Sequence, residues 1–322
     1  MPAHHLVRYD YDLAVVGSGG GAFAAAIAAR GRDLRVVMIE GSTIGGTCVN
    51  VGCIPSKALL AAAQTRHRAA DRRFPGIDAR PGPVDFAALL AGKRDIVETM
   101  RREKYVDLAA EYGFELIHGH ARFVDGPALD VDGRRVEAAH YVVATGAEPH
   151  IPDVPGLADS GYLTSTTAME LERLPESMLV IGGGPVALEQ AQLFAHLGTR
   201  VTMVVRSRLA RREEPEIAEA IRDAFIAEGI AVIEGAVPSE VRRDGSEVVV
   251  VAGGRELRAE RLLVATGRRP RTAGLGLEAL GAALGPGGEV LVDDDLAVGI
   301  QLDADGVQPE PGGARRAARR DQ

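Results

Sequence analysis

The strongest constraint on this fold is a pattern that occurs twice. Tyr11-Asp-Leu-Ala-Val-Val16 has the composition of a short buried strand. It runs into Gly17-Ser-Gly19-Gly-Gly-Ala22 and then into an apolar helical stretch, Phe23 to Arg30. Met178-Leu-Val-Ile181 does the same, through Gly182-Gly-Gly184-Pro-Val-Ala187 into a helical stretch from Leu188 to Leu197. Each block closes with a strand ending Val-Ala-Thr-Gly, at Gly146 and at Gly267. Strand, Gly-rich turn and helix in that order form the dinucleotide fingerprint. Gly17 and Gly182 permit the tight turn, and Gly19 and Gly184 let a pyrophosphate approach the backbone. Ala22 and Ala187 let helix and strand pack closely. A Gly-rich loop in an unrelated α/β unit stays open on the motif alone. The repeat predicts an α/β chain with two Rossmann-like dinucleotide-binding domains.

The blocks differ at the end of their second strand. Leu34 to Ile39 ends in Glu40, an acid placed to hold ribose hydroxyls. Arg200 to Val205 ends in Arg206, with Arg208, Arg211 and Arg212 close behind. An acid there would repel a 2′-phosphate, whereas arginine binds it in a bidentate fork. The second domain is therefore predicted to take NADPH rather than NADH, with a solvated basic loop as the alternative.

Cys48 and Cys53 are the only cysteines among 322 residues, and they sit in a Gly-rich stretch just before a helical pattern. Pro55 suits a first helical turn. A helix N-terminus and Lys57 would both stabilise a thiolate, so the pair reads as redox-active. Two cysteines without spaced histidines do not make a closed zinc site. With no export signal in Met1 to Asp12, the expected location is cytoplasmic. The net charge of −8 and the absence of tryptophan argue against nucleic acid as partner. The apolar run Leu13 to Ala29 is broken by Gly17–Gly21, so it reads as strand, turn and helix rather than a membrane span.

Arg66 to Arg80 reads as a surface connection and Val84 to Tyr112 as a long helix. Glu115–His118 and the segments around Ala121 and Leu129 read as short antiparallel strands, with Asp132-Gly133 as a hairpin turn. Ala252-Gly-Gly-Arg255 reads as another hairpin turn. His118 and His120 read as solvated or core residues rather than as metal ligands. Pro149, Pro152, Pro155 and Gly156 make a linker.

Gly45-Gly-Thr-Cys-Val-Asn-Val-Gly-Cys-Ile-Pro-Ser-Lys57 resembles the active-site signature of the flavin-dependent pyridine nucleotide–disulfide oxidoreductases. The resemblance implies that the first nucleotide is FAD, held by Gly17, Gly19, Ala22, Glu40, Gly46, Thr47, Lys57, Thr145 and Gly146. It implies NADPH against Gly182, Gly184, Ala187, Arg206, Arg212 and Gly267. Cys53 would be the flavin-side sulfur and Cys48 the substrate-facing one. Lys57 would pair with Glu189, which the sequence puts in the first turn of the second fingerprint helix. The implied division is residues 10–150 and 270–295 for FAD, 151–269 for NADPH, and an irregular or disordered tail over 296–322. Within the family, Val49-Asn-Val-Gly-Cys53, Lys104-Tyr105, Tyr162-Leu-Thr-Ser-Thr166 and Glu228-Gly-Ile230 resemble the branch that reduces Hg(II) to Hg(0). Cys48 and Cys53 would then hold Hg(II) transiently. A dihydrolipoamide dehydrogenase-like or glutathione reductase-like disulfide oxidoreductase is the alternative, and a non-catalytic nucleotide-binding remnant is a third reading. The family pattern stops near Asp294. Its interface domain, which carries the dimer contact and a His–Glu pair, has no counterpart in this sequence, as expected of a truncated or frame-shifted product, with a natural disordered tail on a short homologue as the alternative.

Overall fold

The computed structural model describes residues 9–70, 76–125 and 128–298. In chain order the elements are β1 (Tyr11–Val16), α1 (Gly20–Arg30), β2 (Val36–Glu40), α2 (Gly46–Val51), α3 (Cys53–Ala70), α4 (Phe86–Arg101) and α5 (Asp107–Tyr112). There follow β3 (Glu115–His118), β4 (Ala121–Val124), β5 (Ala128–Val131), β6 (Arg134–Val136), β7 (Ala138–Val143) and β8 (Ala147–Pro149). Then come α6 (Ser165–Ala168), β9 (Ser177–Ile181), α7 (Pro185–Leu197), β10 (Arg200–Val205), α8 (Pro215–Ala227) and β11 (Ala231–Glu234). The last strands are β12 (Pro238–Asp244), β13 (Glu247–Ala252), β14 (Arg255–Ala259), β15 (Arg261–Val264) and β16 (Arg268–Pro270).

Two compact units result. One holds the described residues up to Thr47, then Arg101–Glu148 and those from Arg269 onward; the other holds Cys48–Met100 and Pro149–Arg268. The expected tail lies almost wholly outside the described residues.

In the first unit a parallel sheet runs in the order β3-β2-β1-β7. Its central strands are buried on both faces, which is why they read as unbroken apolar runs. Alternate residues go to opposite sides. Leu13 and Val15 pack with Ala22, Phe23 and Ala26 of α1. Ala14 and Val16 pack with Phe123, Leu129 and Val131 of the antiparallel meander β4-β5-β6. Phe23 meets Tyr105 and Phe114 edge-on, at centroid distances of 4.8 and 5.5 Å.

The second unit repeats this plan. Its parallel sheet runs β11-β10-β9-β15, and the meander β12-β13-β14 covers one face. Met178 and Val180 face Ala187, Ala191 and Phe194 of α7; Leu179 and Ile181 face Val241, Val248 and Val250. Residues 48–100, expected in the first domain, fall with this unit because α3 lays Leu59 and Ala63 into the α7 core.

Both expected hairpin turns form. Asp132 and Gly133 have φ of 47° and 90°, and Gly253 and Gly254 have 56° and 73°, the positive pair that suits strand twist. Two expectations fail. Glu115–His118 is not antiparallel: β3 is the parallel edge of the main sheet, because its backbone pairs with β2 after the helical return. Arg66–Ala70 is not connection but the last turns of α3, since no proline or glycine interrupts the helix there. The long helix is confirmed as α4 and α5 joined by a π-helical turn, Arg102–Val106.

Candidate active site

In the first unit the fingerprint turn is fixed by what it touches. Gly17 has φ of 108°, and a Cβ there would stand 2.3 Å from the carbonyl oxygen of Ala144. The first glycine of the fingerprint thus packs on the Val-Ala-Thr-Gly strand that closes the same block. A Cβ on Gly46 would stand 2.6 Å from the Cα of Gly19, so the two chain segments touch backbone to backbone. Ser18, 1% exposed, ties them together. Its hydroxyl donates to Glu40 at 2.5 Å and accepts the N–H of Gly45 at 3.0 Å. Glu40 also accepts from the N–H and the hydroxyl of Ser42, at 2.8 and 2.7 Å. Glu40 is therefore aimed at hydroxyl donors at the end of β2. Ser18 and Ser42 were not singled out by sequence; the serine inside Gly17-Ser-Gly19 was the available signal.

The α1 N-terminus is capped by Gly19 with no side-chain hydrogen bond, and its first turn has no acid. Its free N–H groups and positive dipole end fit a pyrophosphate. Thr145 does not point its hydroxyl at that turn. It donates to the carbonyl of Arg271 at 2.6 Å, while Gly146, at φ of 71°, accepts from the N–H of Arg271. These two bonds tie the turn after β7 to the segment at Arg271.

In the second unit Cys48 lies on α2 and Cys53 opens α3, with Pro55 in its first turn. The helix thus begins before the apolar pattern suggests. Both cysteines are exposed free thiols, and they are hydrogen-bonded to each other. The Cys48 thiol is pushed above its usual range, first by that hydrogen bond and then by burial and by charge on Cys53; Lys57 pulls the other way. Lys57 Nζ stands 2.6 Å from Glu189 Oε1, and the Ser56 hydroxyl donates to Glu189 Oε2 at 3.3 Å. Glu189 is one turn further along than expected: α7 begins at Pro185 and has no acid in its first turn.

The α7 N-terminus repeats the first cradle. Gly182, at φ of 136°, would place a Cβ 2.3 Å from the carbonyl oxygen of Ala265, and Gly184 caps the helix without a side-chain bond. The loop after β10 folds onto this turn, for the N–H of Ala210 donates to the carbonyl of Gly183 at 2.8 Å. Arg208 holds that loop, donating to the carbonyls of Arg211 and Glu213 at 3.1 and 2.8 Å. Arg206 and Arg212 are exposed and carry no hydrogen bond or ion pair among the described residues. Gly267, at φ of 140°, accepts from the N–H of His150 at 2.9 Å.

These two cradles and the thiol signature coincide with a family match. The family model described as pyridine nucleotide-disulphide oxidoreductase covers residues 11–302. The chain belongs to that family.

Within the family, a mercuric reductase of Streptomyces lividans is 57% identical over 296 residues, covering 89% of this chain and 62% of that protein. One from Bacillus cereus is 45% identical over 294 residues, 90% of this chain and 47% of the relative. The chain therefore spans about half to three fifths of the length of these curated relatives. Among solved structures, the HOCl-induced flavoprotein disulfide reductase RclA from Escherichia coli superposes with a TM-score of 0.80 at 29% identity, over 90% of this chain and 64% of that one. No helix among the described residues is long and apolar enough to cross a membrane.

Proposed function

We propose that this chain carries the nucleotide-binding and dithiol portion of a cytoplasmic enzyme that passes two electrons from NADPH, by way of FAD, to Cys48 and Cys53 and on to Hg(II). The sum is NADPH + Hg(II) → NADP⁺ + H⁺ + Hg(0). The observation that carries the reading is the hydrogen-bonded Cys48–Cys53 pair at the head of α3, beside the Lys57–Glu189 ion pair. The mercuric reductase relatives supply the substrate class.

FAD, when bound, supplies the step between a hydride donor and the sulfur couple. The fit is good on the protein's side: α1 offers bare N–H groups for the pyrophosphate and Glu40 accepts ribose hydroxyls. Arg206 and Arg212 are free to hold a 2′-phosphate, while Arg208 spends its guanidinium on its own loop. Cys48 and Cys53 ligate Hg(II) as soft thiolates, and each must shed its proton to do so. Lys57 favours that loss at Cys48.

The test is an anaerobic NADPH titration of the full chain with FAD, followed by Hg(II). The expected result is a long-wavelength thiolate–flavin band and Hg(II)-dependent NADPH consumption that Cys48→Ser and Cys53→Ser abolish. Flavin reduction without any effect of either serine substitution would remove the dithiol from the pathway. Consumption driven by a small disulfide but not by Hg(II) would favour a disulfide reductase, the activity named for RclA.

A further inference from the structure

Three helix ends meet in the second unit, at residues with no part in the chemistry above. His67 lies in the last turn of α3 and His196 in the last turn of α7, while Glu228 is the C-cap of α8. One ligand atom from each lies within 4.8 Å of the others. We propose that His67, His196 and Glu228 bind one divalent first-row cation of the Zn(II) type.

Two imidazoles and a carboxylate are a familiar donor set for such an ion, and three protein ligands leave a fourth position for water. Zinc bonds of about 2.0–2.2 Å place tetrahedral donors about 3.3–3.5 Å apart. His196 Nε2 and Glu228 Oε2 are already 3.0 Å apart. Gln192 donates to the same Glu228 oxygen at 3.0 Å, so the carboxylate is held from a second side. His196 is 5% exposed, which fixes its ring. The C-terminal ends of α3, α7 and α8 carry the partial negative charge of the helix dipole, and a cation is favoured where they converge. The Arg66 guanidinium nearby caps the carbonyl of His196 at 2.9 Å.

One movement is required. The two imidazole rings are stacked, with centroids 3.8 Å apart and planes 11° from parallel. Lone pairs in parallel planes do not converge on one ion, so one ring must turn. His67 is only half-buried, on the last turns of α3, and is the ring with room to do so. A cleft of about 280 Å³ between α3 and α7, lined by Lys57, Leu60, Ala61, Gln64, Gln192 and His196, reaches one of the three ligands. At 1.5 Å per residue the site lies about 15 Å along α3 from Lys57, so it is separate from the thiols. An ion there would fasten the far end of the thiol-bearing helix to α7.

The experiment is Zn(II) binding to the full chain after alkylation of both thiols with iodoacetamide, measured by competition with a chromophoric chelator and by zinc-edge absorption spectroscopy. The expected result is one equivalent with imidazole scattering, weakened at least tenfold in His67→Ala and in Glu228→Gln. His67→Ala changes a half-buried position, and circular dichroism checks that it folds. Zinc held no more tightly by the native chain than by the His67→Ala, Glu228→Gln double variant, or bound without imidazole scattering, would overturn the proposal.

Discussion

The two nucleotide-type units share a scaffold and differ in chemistry. In both, a glycine with positive φ at the end of the first strand lies against the carbonyl of the alanine in Val-Ala-Thr-Gly. In both, four parallel strands have the same order and a three-stranded meander covers one face. The difference begins one residue later. Ser18 in the first unit holds Glu40 and the N–H of Gly45. Its counterpart Gly183 has no room for a side chain, since a Cβ would stand 2.6 Å from Val205 Cγ1. The arginine loop rests on the turn instead. What is common is backbone packing, which admits only glycine; what differs is a few side chains at the strand end, an acid in one unit and arginines in the other.

The largest test of this equivalence is steric. Gly17→Ala and Gly182→Ala should each destabilise by about 2–4 kcal/mol, from the carbonyl clash and the strained φ. Gly20→Ala, where a Cβ meets nothing within 4 Å, should change stability by less than about 1 kcal/mol. Urea unfolding measures both, and a mild effect at either Gly17 or Gly182 would break the parallel.

Ser18→Ala should cost about 1–3 kcal/mol, because it removes the acceptor for the N–H of buried Gly45 and the donor to Oε2 of Glu40. Gly183→Ser should also destabilise, by contact with Val205 rather than by loss of a bond. A neutral Gly183→Ser would show that the two turns are more alike than their contacts indicate.

Coenzyme choice sharpens the chemical half of the comparison. Arg206→Glu should lower the NADPH-to-NADH ratio of kcat/KM by about tenfold or more, the value of one charge-assisted contact. Arg208→Ala should lower Tm and leave the ratio unchanged, because its guanidinium binds its own loop.

The smallest effect is on acid stability. Burial alone would raise the Glu260 pKa, but the N–H of Glu176 and the guanidinium of Arg173 outweigh it and hold it below its ordinary 4.5. The counterpart at the base of the first sheet is Asp12, held below 3.8 by the Arg35 side chain and N–H. A depressed folded value means stability that is present above the unfolded pKa and lost as pH falls through the folded one. Glu260→Gln should therefore flatten the acid limb below about pH 4.5, read as Tm against pH. A steeper limb would contradict the sign.

Much of this was legible in the chain. The fingerprints, both positive-φ hairpins and the thiol signature depend on local geometry, which residue type and spacing specify. Less was legible where the partner is distant. The parallel pairing of β3 depends on β2, with a long helical excursion between them. The assignment of residues 48–100 to the second unit depends on α3 meeting α7. His67 and His196 carry no shared motif, and only the meeting of three helix ends brings them together with Glu228.

By itself the sequence determined two glycine-turn units, an acid at the end of one strand and a base at the other, and a cysteine pair opening a helix. These are short-range features, fixed by φ, hydrogen-bonding capacity and charge at single positions. Tertiary structure alone decided which carbonyl each glycine must accommodate, which arginines are free for a ligand, and which histidines stack. Those outcomes depend on contacts between residues far apart in the chain, where the packing of whole elements selects the neighbour.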